Sequence, residues 1–471
     1  MLKADVAVVG GTIVTVDKER RIIPGGLILI TGDEIVYVGE ADGVAWEARD
    51  SIDACGDIVM PGLIDVHGHA GHGLVKTMGD RPDGDWLEVA EAVYFRHSTD
   101  AFWRAEAALA GLERLKFGVT TGYSMLGNIP RTDDPRWAVS HIEGIRGIGI
   151  REIVGVGPGL PPWPKMTQIY WDGVARQHEF TEENAIEVTR EICEMASRGD
   201  FGSRVTVQVS PSRIGDPEGL GEASLAAQTR AVMQIASEFD LMINAHAYSG
   251  NIAYAHRHLE VLGPRTVLAH CTGITPDEVQ ILAETGTHVA HCPSARAMIR
   301  DGCPVIEMLD AGVNVAIGTD GSGPDRTFCL FKDMRTAAII HRIRGRDDRI
   351  LPPGKLLEMV TIDAARAIGM EKQIGSLETG KKADVIIINT RQPHQYPLAM
   401  PVHRLVYVTS GQDVGTVIVD GEILMRNRQV IPADEDEVLA NAQNEFLAML
   451  DRSGFEDELQ IPEGFWGQPR Y

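Results

Sequence analysis

Eight short apolar runs, each ending in polar or reactive residues, recur along the middle of the chain and constrain its fold more than any other feature. They read GLIDVHGH, GVTTGYS, REIVGVGPG, RVTVQVSPS, LMINAHAYS, TVLAHC, HVAHCPS and NVAIGTDG. Amphipathic stretches separate them, such as Trp86 to Phe117, where Leu109, Leu112 and Leu115 fall at helical spacing. Runs that are apolar along their whole length belong to sheets buried on both faces, and parallel strands need long crossovers, usually helices. Eight such units in series predict a TIM-type (β/α)8 barrel over residues 61–369, with its chemistry at the C-terminal ends of the strands.

Outside that stretch the pattern changes. From Ala4 to Met60 the runs VAVVGGTIVTV, LILI and EIVYVGE are broken by Gly and Asp turns, and ADVIIIN, RLVYVTS and VGTVIVDGEILM return to that type after Gly369. Residues 1–60 and 370–432 are therefore expected to combine into one small, discontinuous β-sandwich domain. The fold class is α/β, a distorted barrel carrying that domain. Residues 433–471 read as an acidic helical stretch and a Pro/Gly/aromatic tail, which either docks on a neighbouring subunit or stands in solvent.

With 471 residues, 44% hydrophobic and 24% charged, the chain has the make-up of a globular protein of more than one unit. Its formal net charge of -23 repels phosphate backbones and anionic head groups, which argues against nucleic acid or a membrane surface as a partner. No apolar stretch reaches the roughly 18 residues of a membrane span. The opening MLKADVAVVGG lacks a small-residue cleavage site, so a cytoplasmic location is expected. Cys55, Cys193, Cys271, Cys292, Cys303 and Cys329 include no CxxC pair and are expected to be free, buried thiols.

The reactive residues sit where the barrel pattern puts them. His67 and His69 lie two apart at the end of a strand-like run, so their side chains project to one side and can share a cation. A catalytic metal takes three or more protein ligands and keeps a position for water, so further ligands must come from elsewhere. His246, His270, His291 and Asp320 each end a later run. A divalent ion lowers the pKa of its bound water from 15.7 to about 7, and Asp320 beside it can take the proton. An imidazole aimed at a developing oxyanion contributes about 3 to 4 kcal/mol.

In order, PGLIDVHGH, INAHAY, PRTVLAHC, GTHVAHCPS and AGVNVAIGTDGS resemble the amidohydrolase superfamily, in particular the branch that contains atrazine chlorohydrolase and the cytosine and guanine deaminases. LETGKKADVIIIN and VIVDGEIL are similar to that family's C-terminal sheet. The resemblance implies that His67, His69, His246 and Asp320 ligate one divalent metal ion per subunit, zinc first, with iron, cobalt or manganese as alternatives. It implies that Asp320 also shuttles a proton and that His270 either touches the metal-bound water or ligates a second ion. His291 would hydrogen-bond the substrate or the developing oxyanion. The resemblance further implies a homo-oligomer acting on a small molecule.

The chain departs from that family in three places, one of them Arg296 in HCPSARAM, close to where the branch commonly has an asparagine. Members with two metals need a carbamylated lysine or a glutamate on the third or fourth strand, and RVTVQVSPS has neither; Glu152 lies early in its run and Lys165 falls in the loop LPPWPK. One metal is therefore expected. In many deaminases of the branch, a glutamate three places after the fifth-strand histidine protonates the ring nitrogen, and here that place is Ser249. The expected reaction is accordingly hydrolysis of a C–N bond in a small amide, urea or carbamate, N-aryl ureas and thiocarbamates included, by analogy with the bacterial phenylurea and molinate hydrolases. The alternatives are a deaminase or dechlorinase of a cytosine-, guanine- or triazine-type ring and, outside enzymes, a non-catalytic amidohydrolase-like scaffold. Substrate contacts are expected from Tyr248, directly after a ligand, and from His72, Tyr123, Gln208 and the loop residue Trp163, with packing or solvent as the competing reading for each.

Overall fold

The structure, a computed structural model, describes residues 1–79, 86–126, 131–171, 174–215, 222–296, 302–461 and 466–467. Each apolar run forms a strand of one eight-stranded sheet: Leu63–Ile64, Val119–Met125, Arg151–Val156, Val205–Val209, Ile243–Tyr248, Thr266–Thr272, His288–His291 and Val315–Ile317. Each pairs in parallel with the next. Side chains alternate between two cores, which is why the runs are apolar throughout. Ile64, Val66, Ile153, Val267, Ala269, Ala290 and Ala316 fill the interior of the curled sheet. Leu63, Val154, Val207, Leu268, Val289 and Val315 join the larger core under the helices. The first and last strands are not ladder neighbours, which is the distortion of the barrel. Their ends meet instead where the Asp320 N–H donates to the His67 carbonyl at 2.9 Å.

The stretch from Trp86 to Phe117 is not one helix. It divides into Trp86–Ala92, a π-helical turn Val93–His97, and Asp100–Lys116. Two side chains make the break: the Ser98 hydroxyl donates to the Tyr94 carbonyl at 2.7 Å, and Thr99 caps the following helix by accepting from Phe102 N–H at 3.1 Å. After the third barrel strand, the loop containing Trp163 leads into an antiparallel hairpin, Lys165–Trp171 with Val174–Phe180, that the sequence pattern does not announce.

The β-rich ends form two sheets, although RLVYVTS, expected as a strand, lies mostly in the helix Pro401–Tyr407. One has four strands, Glu34–Glu40, Gly26–Thr31, Leu2–Val9 and Trp46–Asp53. The other mixes both ends of the chain, since Ile58–Pro61 pairs antiparallel with Val385–Ile388, which pairs with Val414–Val419. Val8, Ile28, Ile30, Val59, Val385, Ile387 and Ile418 form the core between the sheets. The helix Glu435–Ser453 packs on this chain's own Asp100–Lys116 helix and contributes Met449 and Leu450 to the main core. Five of the cysteines are buried, whereas Cys55 is exposed in the small sheet region. Among the described residues no helix is long and apolar enough to cross a membrane.

A line of charge is buried in the barrel wall. Arg114, from the helix Asp100–Lys116, donates to Glu152 of the third strand at 3.2 Å. His141 lies 3.8 Å from Glu152 and 3.3 Å from Glu106, and the side chains of all four are fully buried. Burial alone would lower the His141 pKa, but hydrogen bonds to and charges on Glu106 and Glu152 push it up to about 9. The folded pKa thus exceeds the unfolded value of 6.5, so the stabilisation is complete below pH 6.5 and is lost as pH rises through 9. Urea denaturation should therefore show stability falling by roughly 1 to 3 kcal/mol across that interval. His141→Gln should flatten the dependence; an unchanged slope in the variant would show that His141 is not the titrating group.

Candidate metal centre

Five side chains from four strand ends converge at the mouth of the barrel. His67 and His69 follow the first strand, His246 and His270 stand in the fifth and sixth, and Asp320 follows the eighth. Only glycine fits between the first two, because a Cβ on Gly68 would lie 2.6 Å from Arg114 Nη2 and 2.8 Å from the Tyr123 carbonyl. In the fifth strand Ala245 and Ala247 face the helices, which turns His246 inward. By the same alternation His270 would face outward, but it and Cys271 adopt left-handed backbone conformations, φ 72° and 47°, where the ladder slips register. That bulge re-aims His270 into the mouth. Asp320 is likewise left-handed, φ 63°.

The donor atoms form two overlapping triads, His67/His69/His246 and His67/His270/Asp320, in each of which they lie within 4.8 Å of one another. His69 Nε2 is 3.1 Å from Asp320 Oδ1 and 3.3 Å from His246 Nε2. The Ser212 carbonyl accepts the Nδ1 proton of His246 at 2.8 Å, which fixes the tautomer and leaves Nε2 as a bare lone pair facing His69. Burial, together with His67, His69 and His270, holds His246 well below the usual imidazole range, so it is neutral at pH 7. Burial would raise the Asp320 carboxyl, but the His69 hydrogen bond and the charges of His270, His69 and Arg326 outweigh it and hold it well below the usual carboxylate range. A divalent cation shared among these closely set nitrogen and oxygen atoms would satisfy them together. A set of imidazole nitrogens with one carboxylate oxygen fits a divalent transition metal.

The other expected site residues divide. His72 is buried against the cluster, its ring stacked 5.0 Å from His69 and edge-on to Trp86 at 5.1 Å. Among the described residues its Nδ1 has no hydrogen-bond partner. The Tyr248 ring lies parallel to His246 and His270, at 6.5 and 5.6 Å, with the Arg213 guanidinium over it at 5.1 Å. Tyr123 stacks 6.0 Å from His67 and shares a hydrogen bond with Ser210 at 2.5 Å, forming part of the floor. Gln208 is buried on the same strand face as Ser210, and its Oε1 has no hydrogen-bond partner among the described residues. Trp163 sits farther out, edge-on to Phe180 at 5.5 Å with Lys165 Nζ 5.1 Å from its ring. His291 belongs to neither triad; its Nε2 lies 3.1 Å from His341 Nε2 on the helix Leu330–Gly345. Glu152 and Lys165 also stand outside both triads.

Several residues around the cluster are not singled out by sequence reasoning. Trp86 and Tyr94 wall His72, and a hydrophobic count assigns both to a helix core. Ser212 acts through its backbone, which no side-chain pattern reports. Asp65 and Thr319 tie the first and eighth strand ends together; a carboxylate in the middle of the apolar run GLIDV was the available signal.

Known proteins match this architecture. A model of the amidohydrolase family matches residues 58–424. A 5-methylthioadenosine/S-adenosylhomocysteine deaminase of Moorella thermoacetica is 32% identical over 437 residues, covering 89% of this chain and 94% of that protein. The crystal structure of an adenosine deaminase from Xanthomonas campestris with bound zinc superposes with a TM-score of 0.80 at 21% identity, over 96% of this chain and 99% of that one. A variant of atrazine chlorohydrolase from Arthrobacter aurescens, solved with zinc and atraton, gives 0.78 at 23% identity, over 94% and 100%. The family match spans the barrel and every residue of both triads, and on that ground the chain belongs to the amidohydrolase family and is a metal-dependent hydrolase.

Proposed function

We propose that this enzyme hydrolytically removes an amino group from a small nitrogen heterocycle, with an adenine-type nucleoside as the substrate class. The observation that carries this reading is the likeness, over nearly the whole chain, to a deaminase acting on 5-methylthioadenosine and S-adenosylhomocysteine. It displaces the amide, urea and carbamate reading from first place.

In this reading His67, His69, His246 and Asp320 hold one divalent ion, zinc foremost, and His270 faces it from the sixth strand. Once bound, the ion supplies Lewis acidity and activates water. Asp320 takes the proton of the attacking water on its carboxylate and returns it to the leaving nitrogen. Gln208 Oε1 and His72 Nδ1, buried without partners among the described residues, offer an acceptor and an orientable imidazole to the polar edge of the substrate. The His72, Trp86 and Tyr94 wall excludes water from one side.

One observation favours a second reading, hydrolysis of an acyclic urea, carbamate or amide. Ser249 occupies the place from which a glutamate would protonate a ring nitrogen, and neither triad contains a carboxylate besides Asp320. Ammonia release should be measured with 5-methylthioadenosine, S-adenosylhomocysteine, 5'-deoxyadenosine, cytosine, guanine and an aminotriazine, beside N-phenylureas and carbamates. Turnover of an adenine nucleoside is expected; turnover confined to the ureas and carbamates would reverse the order of the two readings. Ser249→Glu should raise the rate on the ring substrate by about 10-fold or more, since a placed general acid contributes roughly 10²- to 10⁴-fold.

The metal is tested separately. Elemental analysis should find about one zinc, iron, cobalt or manganese per chain. Removal by a chelator should lower Tm, and zinc restored at a hundred times its Kd should return about 2.7 kcal/mol. Asp320→Asn should keep Tm within a few degrees while kcat falls on the order of 10³-fold. Full activity in that variant would exclude Asp320 as the proton carrier.

A further inference from the structure

The aspartate at the centre is held in a backbone conformation that non-glycine residues seldom adopt, φ 63°. Such a residue costs on the order of 1 kcal/mol or more and persists only where its surroundings over-determine it. The surroundings here are specific. The preceding residue, Thr319, gives both of its donors to one buried carboxylate: its N–H to Asp65 Oδ1 at 2.9 Å and its hydroxyl to Asp65 Oδ2 at 2.7 Å. The Asp320 N–H is taken by the His67 carbonyl at 2.9 Å, and the Gly321 N–H returns to Asp320 Oδ1 at 2.8 Å. Asp65 itself stands two residues before His67. One carboxylate therefore bonds the eighth strand end to the first and sets where Asp320 stands relative to His67 and His69.

Asp65 is not held by Thr319 alone. Arg114 Nη2 lies 3.6 Å from Asp65 Oδ2, and its guanidinium also donates to the Tyr123 carbonyl at 2.8 Å and to Ser124 Oγ at 2.9 Å. The Phe328 ring packs on it at 4.2 Å. Behind Arg114 come Glu152, His141 and Glu106, so a line of buried groups of alternating charge runs from the helix layer to the metal-binding strand ends. Replacing such a line by apolar residues of equal volume is often neutral or stabilising. Stability alone therefore does not account for it, whereas a fixed geometry at its inner end does.

We propose that Asp65 and Thr319 are positioning residues that hold Asp320 in its left-handed conformation and aim its carboxylate at the histidine cluster. This rests on the reading of that cluster as a metal centre, and neither residue touches the reacting atoms. The partners that orient metal ligands typically account for about 10- to 100-fold in metal affinity or activity.

Thr319→Val removes the hydroxyl at nearly constant volume, and Thr319→Ser restores it. With the metal-free full-length protein and Co2+ alone as the probe, Thr319→Val should weaken binding about 10-fold or more and shift the visible ligand-field bands. Thr319→Ser should return both to within about threefold of the parent. Where a substrate has been found, kcat should follow the same order with KM little changed. Asp65→Asn should reproduce the valine variant; if it fails to fold, the Thr319 pair decides. A valine variant with parental affinity and spectrum would overturn the positioning role and leave the metal centre standing, as would a serine variant that fails to restore them. A parent protein that binds no Co2+ would overturn both.

Discussion

Four imidazoles and one carboxylate face one another at the barrel mouth, and their mutual repulsion without a cation is the constraint around which the molecule is built. His246 shows it most clearly, since the Ser212 carbonyl takes its Nδ1 proton and leaves a lone pair 3.3 Å from His69 Nε2. A protonated imidazole would relieve the contact, but burial and three neighbouring imidazoles oppose protonation. A divalent ion would satisfy such a set at once, and its binding free energy would offset the cost of assembling the cluster. The left-handed turns at His270 and Asp320 belong to the same balance, because regular strand geometry would point one or both away from the common centre.

What holds this arrangement against its own repulsion is the rigidity of the wall behind it. Barrel strands supply the directions, with the small side chains of Ala269, Ala290 and Ala316 filling the interior. The open seam between the first and eighth strands is the weak place of such a barrel, since no ladder joins them. Side chains and backbone ends close it through Asp65, Thr319, His67 and Asp320, next to the place where the chemistry is proposed. Each buried ion in the wall carries a desolvation cost of several kcal/mol, tolerable only because the signs alternate from Glu106 to Asp65 and every member has a close counter-charge.

Much of this is legible in the sequence, and the parts that are not share a cause. The eight strands follow directly from their unbroken apolar character, and the triad residues from their recurrence at the ends of those runs. Local competition is harder to read. The 86–117 stretch looks like one helix by periodicity, yet Ser98 and Thr99 offer the backbone side-chain partners that outcompete the helical ladder. The hairpin at 165–180 lacks a polar/apolar alternation, because much of it is exposed on both faces. His270 and His291 end similar runs, but His270 is turned inward by a bulge while His291 follows strand parity toward His341. Sequence period tells where a side chain would point in a regular strand; it does not report the irregularities that redirect the functional ones. The buried charge line is invisible for a different reason, since its members lie far apart in the chain and each resembles a surface residue of its helix or strand.

The choice of substrate turns on protons rather than on the metal. A centre with two carboxylates can divide the work, one taking the proton of water while the other protonates the leaving side of the substrate. Here Asp320 is the single carboxylate in the two triads, and Ser249 stands where a second acid would come. One proton taken from water is enough to release the nitrogen of an acyclic urea or amide from its tetrahedral adduct. An aromatic ring asks for one more, on the ring nitrogen, before its aromatic character is given up. For a ring substrate that second proton has to come from a donor other than a glutamate at position 249, and His72 and Tyr248 are the polar side chains stacked nearest to the ligands. Whichever supplies it must hold a proton at neutral pH. Burial and His69 hold His72 well below the usual imidazole range, so it is a neutral ring at pH 7, poorly suited to give up a proton.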